Sequence, residues 1–410
     1  MQIGPIFRAL INHRSRFWLI TLEIALTLAI VCNCVNMVLD QRTRMLRPTG
    51  IDEAHILVAE VEPYEKQFED TAFVRTIYEE DLRKLRAMPG VRAATSMHAV
   101  PLSGGGSATG RKAAGAEIDT ITAPYFVVGT DALETLGVKL VEGRAFEESD
   151  FPATEGEEDG PEYEGTNVIL TRELADLLYA EGGALGRQIQ SGGDDPHFDT
   201  IVGVVERMHG SWPTSEVAER VMLMPGNPAG TRRTRYFVRA EPQAVEPLFK
   251  AVEDVLLGVH AGRLVTVRTL ADIKAETYAD LTAFSQLLGG LSVLLILVTS
   301  LGIVGLTSFS VTQRTHEIGT RRALGATRLG ILRHFLVENW VVTGIGLTLG
   351  LGLTVGLNFA LAHWAEVPRI GVLHIVVGIV VLWGAGLLAA LAPALRAMLV
   401  SPVIATRNVY

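Results

Sequence analysis

Residues 311–336 read VTQRTHEIGTRRALGATRLGILRHFL, and the fold follows from how this stretch is placed. It lies between two long apolar runs and carries five arginines, at 314, 321, 322, 328 and 333, against a single acid, Glu317. Apolar helical runs of about 20 residues span a bilayer, and short Arg-rich loops stay on its cytoplasmic side. The stretch is therefore expected inside the cell, and it sets the expected sidedness of everything joined to it. Its local pattern is helical. Glu317 and Arg321 stand four apart in the favourable order. Gly325 suits a left-handed helix stop and Thr327 a cap for the next helix. A short helix, a tight turn and a second helix entering the next span are expected. Ile318 and Leu324 are expected to leave an apolar patch among the arginines, suited to a groove on a soluble partner.

Working outward, four apolar segments are long enough to cross: 17–39, 284–311, 337–362 and 372–395. The first is too long, and too poor in a small-residue cleavage site, to be a signal peptide, so it is read as a retained span. Residues 1–16, with Arg8, Arg14 and Arg16, are expected to be a cytoplasmic segment whose residues 5–10 form an interfacial helix. Residues 363–371 make a short outer loop, and 396–410, with Arg396 and Arg407, a cytoplasmic tail. Both termini then lie inside, and residues 40–280 fall outside between the first two spans. The run 270–311 covers 42 residues. That is about 63 Å of helix, roughly twice the hydrocarbon thickness. The second span is therefore expected to continue as a stalk (269–283), with Gly289-Gly290 as the place for a bend.

Charge divides the same way. Of the 410 residues 48% are apolar, but residues 40–280 hold 25 Lys and Arg against 41 Asp and Glu, while the rest of the chain is net basic. An acidic soluble domain is inserted into a basic membrane frame. No basic patch interleaved with aromatics is present, which excludes nucleic acid as a partner. The two cysteines, Cys32 and Cys34, sit in the first span, so no disulfide staples the outer domain and no metal pair is expected. Within the spans, Glu23, Asn33 and Asn36 are intramembrane polar groups expected to contact neighbouring helices, Glu23 alternatively reaching headgroups. Gly346-xxx-Gly350 and Gly352-xxx-Gly356 give the third span smooth faces for helix packing.

The outer domain reads as α+β. Residues 55–61, 71–88 and 91–100 form a strand–helix–strand pattern closed by Pro89-Gly90, and 236–239, 244–260 and 264–267 repeat it. Between them, 125–129, 138–146, 167–170 and 198–207 read as strands and 171–179 as a helix, with the acidic run 147–164 as a solvated loop. No catalytic residue stands out. The segment Gly105 to Lys112 lacks the Gly-Lys-Ser/Thr of a phosphate loop, and Leu102-Ser103-Gly104-Gly105-Gly106 is read as a flexible outer loop and not as part of a nucleotide site. HExxH, GxSxG and CxxC are absent, and His98, His197 and His209 are widely spaced.

The string RTHEIGTRRALGA at 314–326 closely resembles the signature of the MacB/FtsX family of ABC-transporter permeases. The elements LRAMPGV, VEGRAFEESDF, NVILTRELADLLY and IVGVVERMHG resemble its MacB-type periplasmic core, extending the likeness to nearly the whole chain. The resemblance implies a bacterial inner-membrane protein with four transmembrane α-helices and a large α+β periplasmic domain between helices 1 and 2. That domain would be porter-like over 50–124 and 226–268 and sabre-like over 125–225. It implies that Arg314, Glu317, Ile318, Gly319, Arg321, Arg322, Ala323, Leu324, Gly325 and Ala326 couple to a separate ABC ATPase, which would hold the ATP and Mg; this chain is then not itself an enzyme and carries no cofactor. A second permease copy or a homologous permease is the implied membrane partner, in the lipid bilayer. A periplasmic adaptor and outer-membrane duct are partners in drug-efflux members, whose Gly-rich LGIxIG first span is lacking here. The implied function is mechanical transmission for export or extraction of a substrate. The alternatives are FtsX-like control of a cell-wall hydrolase, a lipoprotein-releasing permease and, in another class, a membrane-anchored receptor without an ATPase.

Overall fold

A computed structural model describes residues 14–117, 120–151, 167–180, 182–192, 197–227, 233–364 and 369–401. The interfacial helix expected at 5–10, most of the acidic run at 147–164 and the tail beyond 401 lie outside the described residues. In chain order, helix α1 (Arg14–Met45) leads to strand β1 (Ile56–Pro63), helix α2 (Thr71–Arg86) and strands β2 (Val91–Ser96), β3 (Ser107–Ala113) and β4 (Ile121–Val128). Helix α3 (Ala132–Leu136), strands β5 (Leu140–Gly143) and β6 (Asn167–Thr171), helix α4 (Arg172–Leu178) and strands β7 (Gln188–Ser191), β8 (Phe198–Val205) and β9 (Met222–Pro225) follow. Strand β10 (Thr234–Ala240), helix α5 (Val245–Val259) and strand β11 (Arg263–Thr269) complete the outer domain. The chain then runs through helices α6 (Leu270–Gln313), α7 (Thr315–Ala323), α8 (Arg328–Trp364) and α9 (Val372–Met398). Two compact units result, residues 44–280 and the remainder.

In the outer domain the two strand–helix–strand patterns interleave. They form one antiparallel sheet in the order β11-β1-β10-β2, so β1 of the first pattern sits between both strands of the second. Alternate residues go to different cores, as the two-residue period of a strand requires. Leu57, Ala59, Val61, Tyr236, Val238, Val265 and Val267 pack under Leu82 and Leu85 of α2 and Leu248, Val252 and Leu256 of α5. Ile56, Val58 and Phe237 enter a second core with Phe126, Ile169, Leu223 and the first turns of α6, Leu270 and Ile273. Burial on both faces explains why residues 55–61 read as a near-continuous apolar run. Gly90, at φ +86°, turns the chain out of α2 where a Cβ would lie 2.6 Å from the Ala244 methyl.

One buried ion pair ties three of these elements. Arg263 at the head of β11 donates from Nη2 to Oδ1 of Asp81 on α2 at 2.7 Å, and the Tyr236 hydroxyl on β10 donates to Asp81 Oδ2 at 2.8 Å. The two ionised side chains are 1% and 0% exposed. Burial pushes the Asp81 carboxyl upward, while the Arg263 and Tyr236 hydrogen bonds favour its charged form.

The second sheet has the order β5-β8-β6-β9-β4-β3-β7, and β7 pairs back onto β8, so six strands close into a ring. It begins earlier than the sequence pattern placed it. Residues 107–113, which carry no strand pattern in the sequence, are β3, paired on one edge with β4 and on the other with β7. The second sheet thus reaches back to Ser107, ahead of residue 125. Ladder bonds on both edges override the weak strand propensity of SATGRKA, and Arg111, 5% exposed, pairs with the buried Asp199 at 3.5 Å.

Four helices, α1, α6, α8 and α9, are long and apolar enough to cross a membrane. In α1, 61% of the apolar window is buried against 17–28% in the other three, so α1 is the axis of the bundle. Ile20, Ile24, Leu28 and Cys32 of α1 pack with Ile303, Val342, Leu347 and Leu382. Helix α6 has 44 residues, about 66 Å, and runs through Gly289-Gly290 without interruption.

Replacing Arg263 by Met is expected to destabilise the outer domain by about 3–5 kcal/mol, because Asp81 is left buried and uncompensated. The Arg263→Met, Asp81→Leu double variant is expected to recover most of that loss in a denaturant titration.

Candidate functional site

The arginine-rich segment folds as α7 between α6 and α8. Helix α6 stops at Arg314 (φ −98°, ψ 13°) and α7 begins at the next residue. Its other end closes on Gly325 at φ +98°. The Gly325 N–H donates to the Arg322 carbonyl at 3.2 Å and the Ala326 N–H to the Arg321 carbonyl at 3.0 Å, a paired-carbonyl stop that needs the left-handed residue. Thr327 Oγ1 accepts from the Gly330 N–H at 3.1 Å and caps α8.

The arginines divide by environment. Arg314 Nη1 reaches both carboxylate oxygens of Glu338 on α8, at 3.1 and 3.2 Å, with both side chains mostly buried. Arg322 Nη1 donates to the carbonyls of Met398 and Val400, at 3.0 and 2.8 Å, where the last turn of α9 presents free carbonyls and the negative end of its dipole. These two residues tie α7 to α8 and α9. Ile318 and Gly319 are buried as well, Ile318 among Val311, Ile331, Phe335, Ala394 and Ala397. The apolar patch expected from Ile318 and Leu324 is corrected accordingly. The bundle claims Ile318, while Leu324 is 84% exposed and is joined on the surface by Leu329. Around them Glu317, Arg321, Ala323, Gly325, Ala326, Arg328 and Arg333 are also exposed, with Arg321 and Glu317 forming an i,i+4 pair. The result is a basic surface with two projecting leucines, carried on the turn between α7 and α8 and fixed from behind. It has the shape and charge to seat in an acidic or polar groove with an apolar floor. Among the described residues no three His, Cys, Asp or Glu side chains gather to hold a metal.

The intramembrane polar residues make interhelical contacts. The Glu23 carboxylate lies against Gly302 of α6, where a Cβ would come within 2.9 Å of Oε2. Asn33 Nδ2 donates to the Thr354 carbonyl on α8 at 3.3 Å, and Asn358 Nδ2 donates to Asn33 Oδ1 at 3.1 Å. Asn36 is buried. Sequence reasoning missed Glu338, Asn358 and the hydroxyl pair Thr27–Thr299 at 2.7 Å; polar residues inside apolar runs were the available signal. The glycines also separate. Cβ atoms at Gly346 and Gly350 would lie 2.9 and 3.0 Å from Ile24 and Ala25 of α1, whereas nothing lies within 4 Å of Gly352 or Gly356.

With this geometry in place, the comparisons with known proteins agree on a class. The MacB-like periplasmic core domain family matches residues 24–255, and the FtsX-like permease C-terminal family matches residues 289–402. The fold and its arginine helix are those of an ABC-transporter permease with a periplasmic core domain between its first two helices. The chain belongs to the MacB-like periplasmic core family, with an FtsX-like permease C-terminal region. Among its relatives, a macrolide export ATP-binding/permease protein MacB of Chromobacterium violaceum is 27% identical over 233 residues, covering 55% of this chain and 34% of the relative. A MacB of Neisseria meningitidis is 24% identical over 340 residues, covering 80% and 49%. The pyoverdine export ATP-binding/permease protein PvdT of Pseudomonas aeruginosa is 27% identical over 226 residues, covering 53% and 32%. The chain thus spans about a third to a half of the length of these relatives. The crystal structure of the periplasmic region of MacB from Actinobacillus actinomycetemcomitans aligns with a TM-score of 0.36 at 14% identity, over 57% of this chain and 96% of that one.

The glycine contacts make a direct prediction. Gly350→Leu is expected to destabilise the detergent-solubilised protein by about 1–3 kcal/mol through overpacking against α1. Gly356→Leu, on the open face, is expected to leave thermal unfolding unchanged.

Proposed function

We propose that this chain is the permease subunit of a MacB-type ABC transporter and that α7 is its contact with an ATPase partner that holds the ATP and Mg. The observation that carries the reading is the division of the connection from Arg314 to Leu329 into a tied face and a free one. Arg314, Ile318 and Arg322 root it in α8 and α9, while Arg321, Leu324, Leu329 and Arg328 remain open. A helix that docks a moving engine needs both properties. It must offer a surface, and it must not slide against its own bundle when pushed.

On this reading ATPase closure displaces α7, and α6 passes the motion on, because its first turns, Leu270 and Ile273, belong to the core of the outer domain. The outer domain is periplasmic and both termini are cytoplasmic, following the arginine asymmetry. Two permeases, identical or homologous, form the unit, and its work is export or extraction of a substrate, with ATP hydrolysis confined to the partner.

Leu324→Glu combined with Arg321→Glu is expected to weaken co-purification of the ATPase by roughly tenfold or more, about 1.4 kcal/mol per factor of ten. Arg314→Gln is expected to keep the ATPase bound while lowering its permease-stimulated turnover, and the Arg314→Glu, Glu338→Arg exchange to restore part of it. Full binding and turnover in the surface double variant would refute the assignment.

A further inference from the structure

The outer domain contains a cleft of about 620 Å³ that the transmission reading leaves unused. Its size is that of a small-molecule site, about 300–1,000 Å³. The floor is one end of the four-stranded sheet. There the face opposite α2 and α5 is no longer filled by Ile56 and Phe237 and carries charged side chains instead. Glu60 of β1 stands between Arg235 of β10 and Thr266 of β11 in the ladder, with Arg233 and Arg268 on the same lining. One wall is the first turns of α6, through Ile273, Glu276 and Thr277. The other is the glycine loop that follows His98.

Charge and hydrogen bonding give the cleft a polarity. Three guanidinium groups meet three carboxylates, Glu60 and Glu276 on the lining and Glu62 beside it against Arg233, so each arginine already holds a counter-charge that an anion would have to replace. Arg235 is fixed in place: its Nε donates to Glu60 at 2.8 Å and its Nη1 to the His98 carbonyl. Arg268 pairs with Glu276, whose side chain is 69% exposed. A surface pair of that kind contributes little, about 0–1 kcal/mol, and a better-placed anion displaces it. His98 adds a donor. The Val127 N–H donates to its Nδ1 at 2.9 Å, and burial pushes its pKa down to about 4, so the ring is neutral with its proton on Nε2. That Nε2–H is buried and meets no acceptor among the described residues.

The loop is shaped for close approach. Leu102 is fully buried at φ +65°, a strained conformation for a branched side chain. At Gly106 a Cβ would lie 2.1 Å from Ser211 Oγ, whereas Gly105 has nothing within 4 Å and leaves its side of the cleft open. The LSGGG string therefore builds a wall.

We propose that this cleft binds a polar molecule bearing more than one oxyanion, carboxylate or phosphate, through Arg233, Arg235 and Arg268. The bound molecule spans from the sheet to the first turns of α6. It displaces Glu276 from Arg268 and so alters a contact that α6 makes with the sheet beneath it. The full chain in lipid nanodiscs, titrated calorimetrically with citrate in one arm and inorganic pyrophosphate in the other, tests this. Saturable binding of either probe is expected, with the stronger arm naming the oxyanion, and high salt is expected to weaken it. Arg268→Gln, and separately Gly105→Phe, which projects into open space, are each expected to weaken binding tenfold or more while leaving thermal unfolding of the probe-free protein unchanged. Absence of saturable binding for both probes at millimolar concentration, or equal binding by wild type and both variants, would overturn the proposal.

Discussion

The contact between Arg314 and Glu338 governs the arginine-rich end of this molecule. It sits where α6 gives way to α7, and it joins that break to α8 through a guanidinium and a carboxylate that are both mostly withdrawn from solvent. Charges in such a place cost free energy unless they are paired, so the geometry is held by the penalty for losing it as much as by attraction. Arg322 adds a second tie at the far end of α7, against the free carbonyls of α9. Between the two, Ile318 inserts into the bundle. A nine-residue helix would be marginal alone. Here three side chains fix it to two different spans, and its outer face keeps a definite position.

The outer domain relies on the same device with different chemistry. Its four-stranded sheet exists only because strands from distant parts of the chain interleave, and Asp81, Tyr236 and Arg263 fasten α2 to β10 and β11. The first turns of α6 contribute Leu270 and Ile273 to the core shared by both sheets. Lys274 of the same helix holds both carboxylate oxygens of Glu53 at 2.8 Å. The start of α6 is thus part of the core of the domain.

Much of this was legible in the sequence because it depends on local rules. Apolar runs without charge mark the spans, and Gly325 with Thr327 marks the turn. Period-2 and period-3.6 patterns mark the two strand–helix–strand units. What could not be read depends on distant partners. Strand β3 looks like polar loop until β4 and β7 supply hydrogen bonds on both sides, and β7 and β9, at four residues each, are too short to show a period. Ile318 lies among arginines, and only the packed bundle reveals which way it turns. Gly350 and Gly352 belong to similar motifs, yet two residues rotate a helix by about 200°, so one motif meets α1 and the other faces away. The division of the arginines into ties and surface follows from Glu338 and the end of α9, neither of which a linear motif contains.

Cross-linking from a cysteine at Leu324, in a chain whose buried Cys32 and Cys34 are both replaced by Ala, tests the central claim most directly. The account predicts that Leu324→Cys captures the ATPase in native membranes and that the yield changes between nucleotide-free and ATP-bound conditions. Failure to capture any ATPase, together with labelling of the same cysteine by an impermeant maleimide added to the periplasmic side, would contradict it.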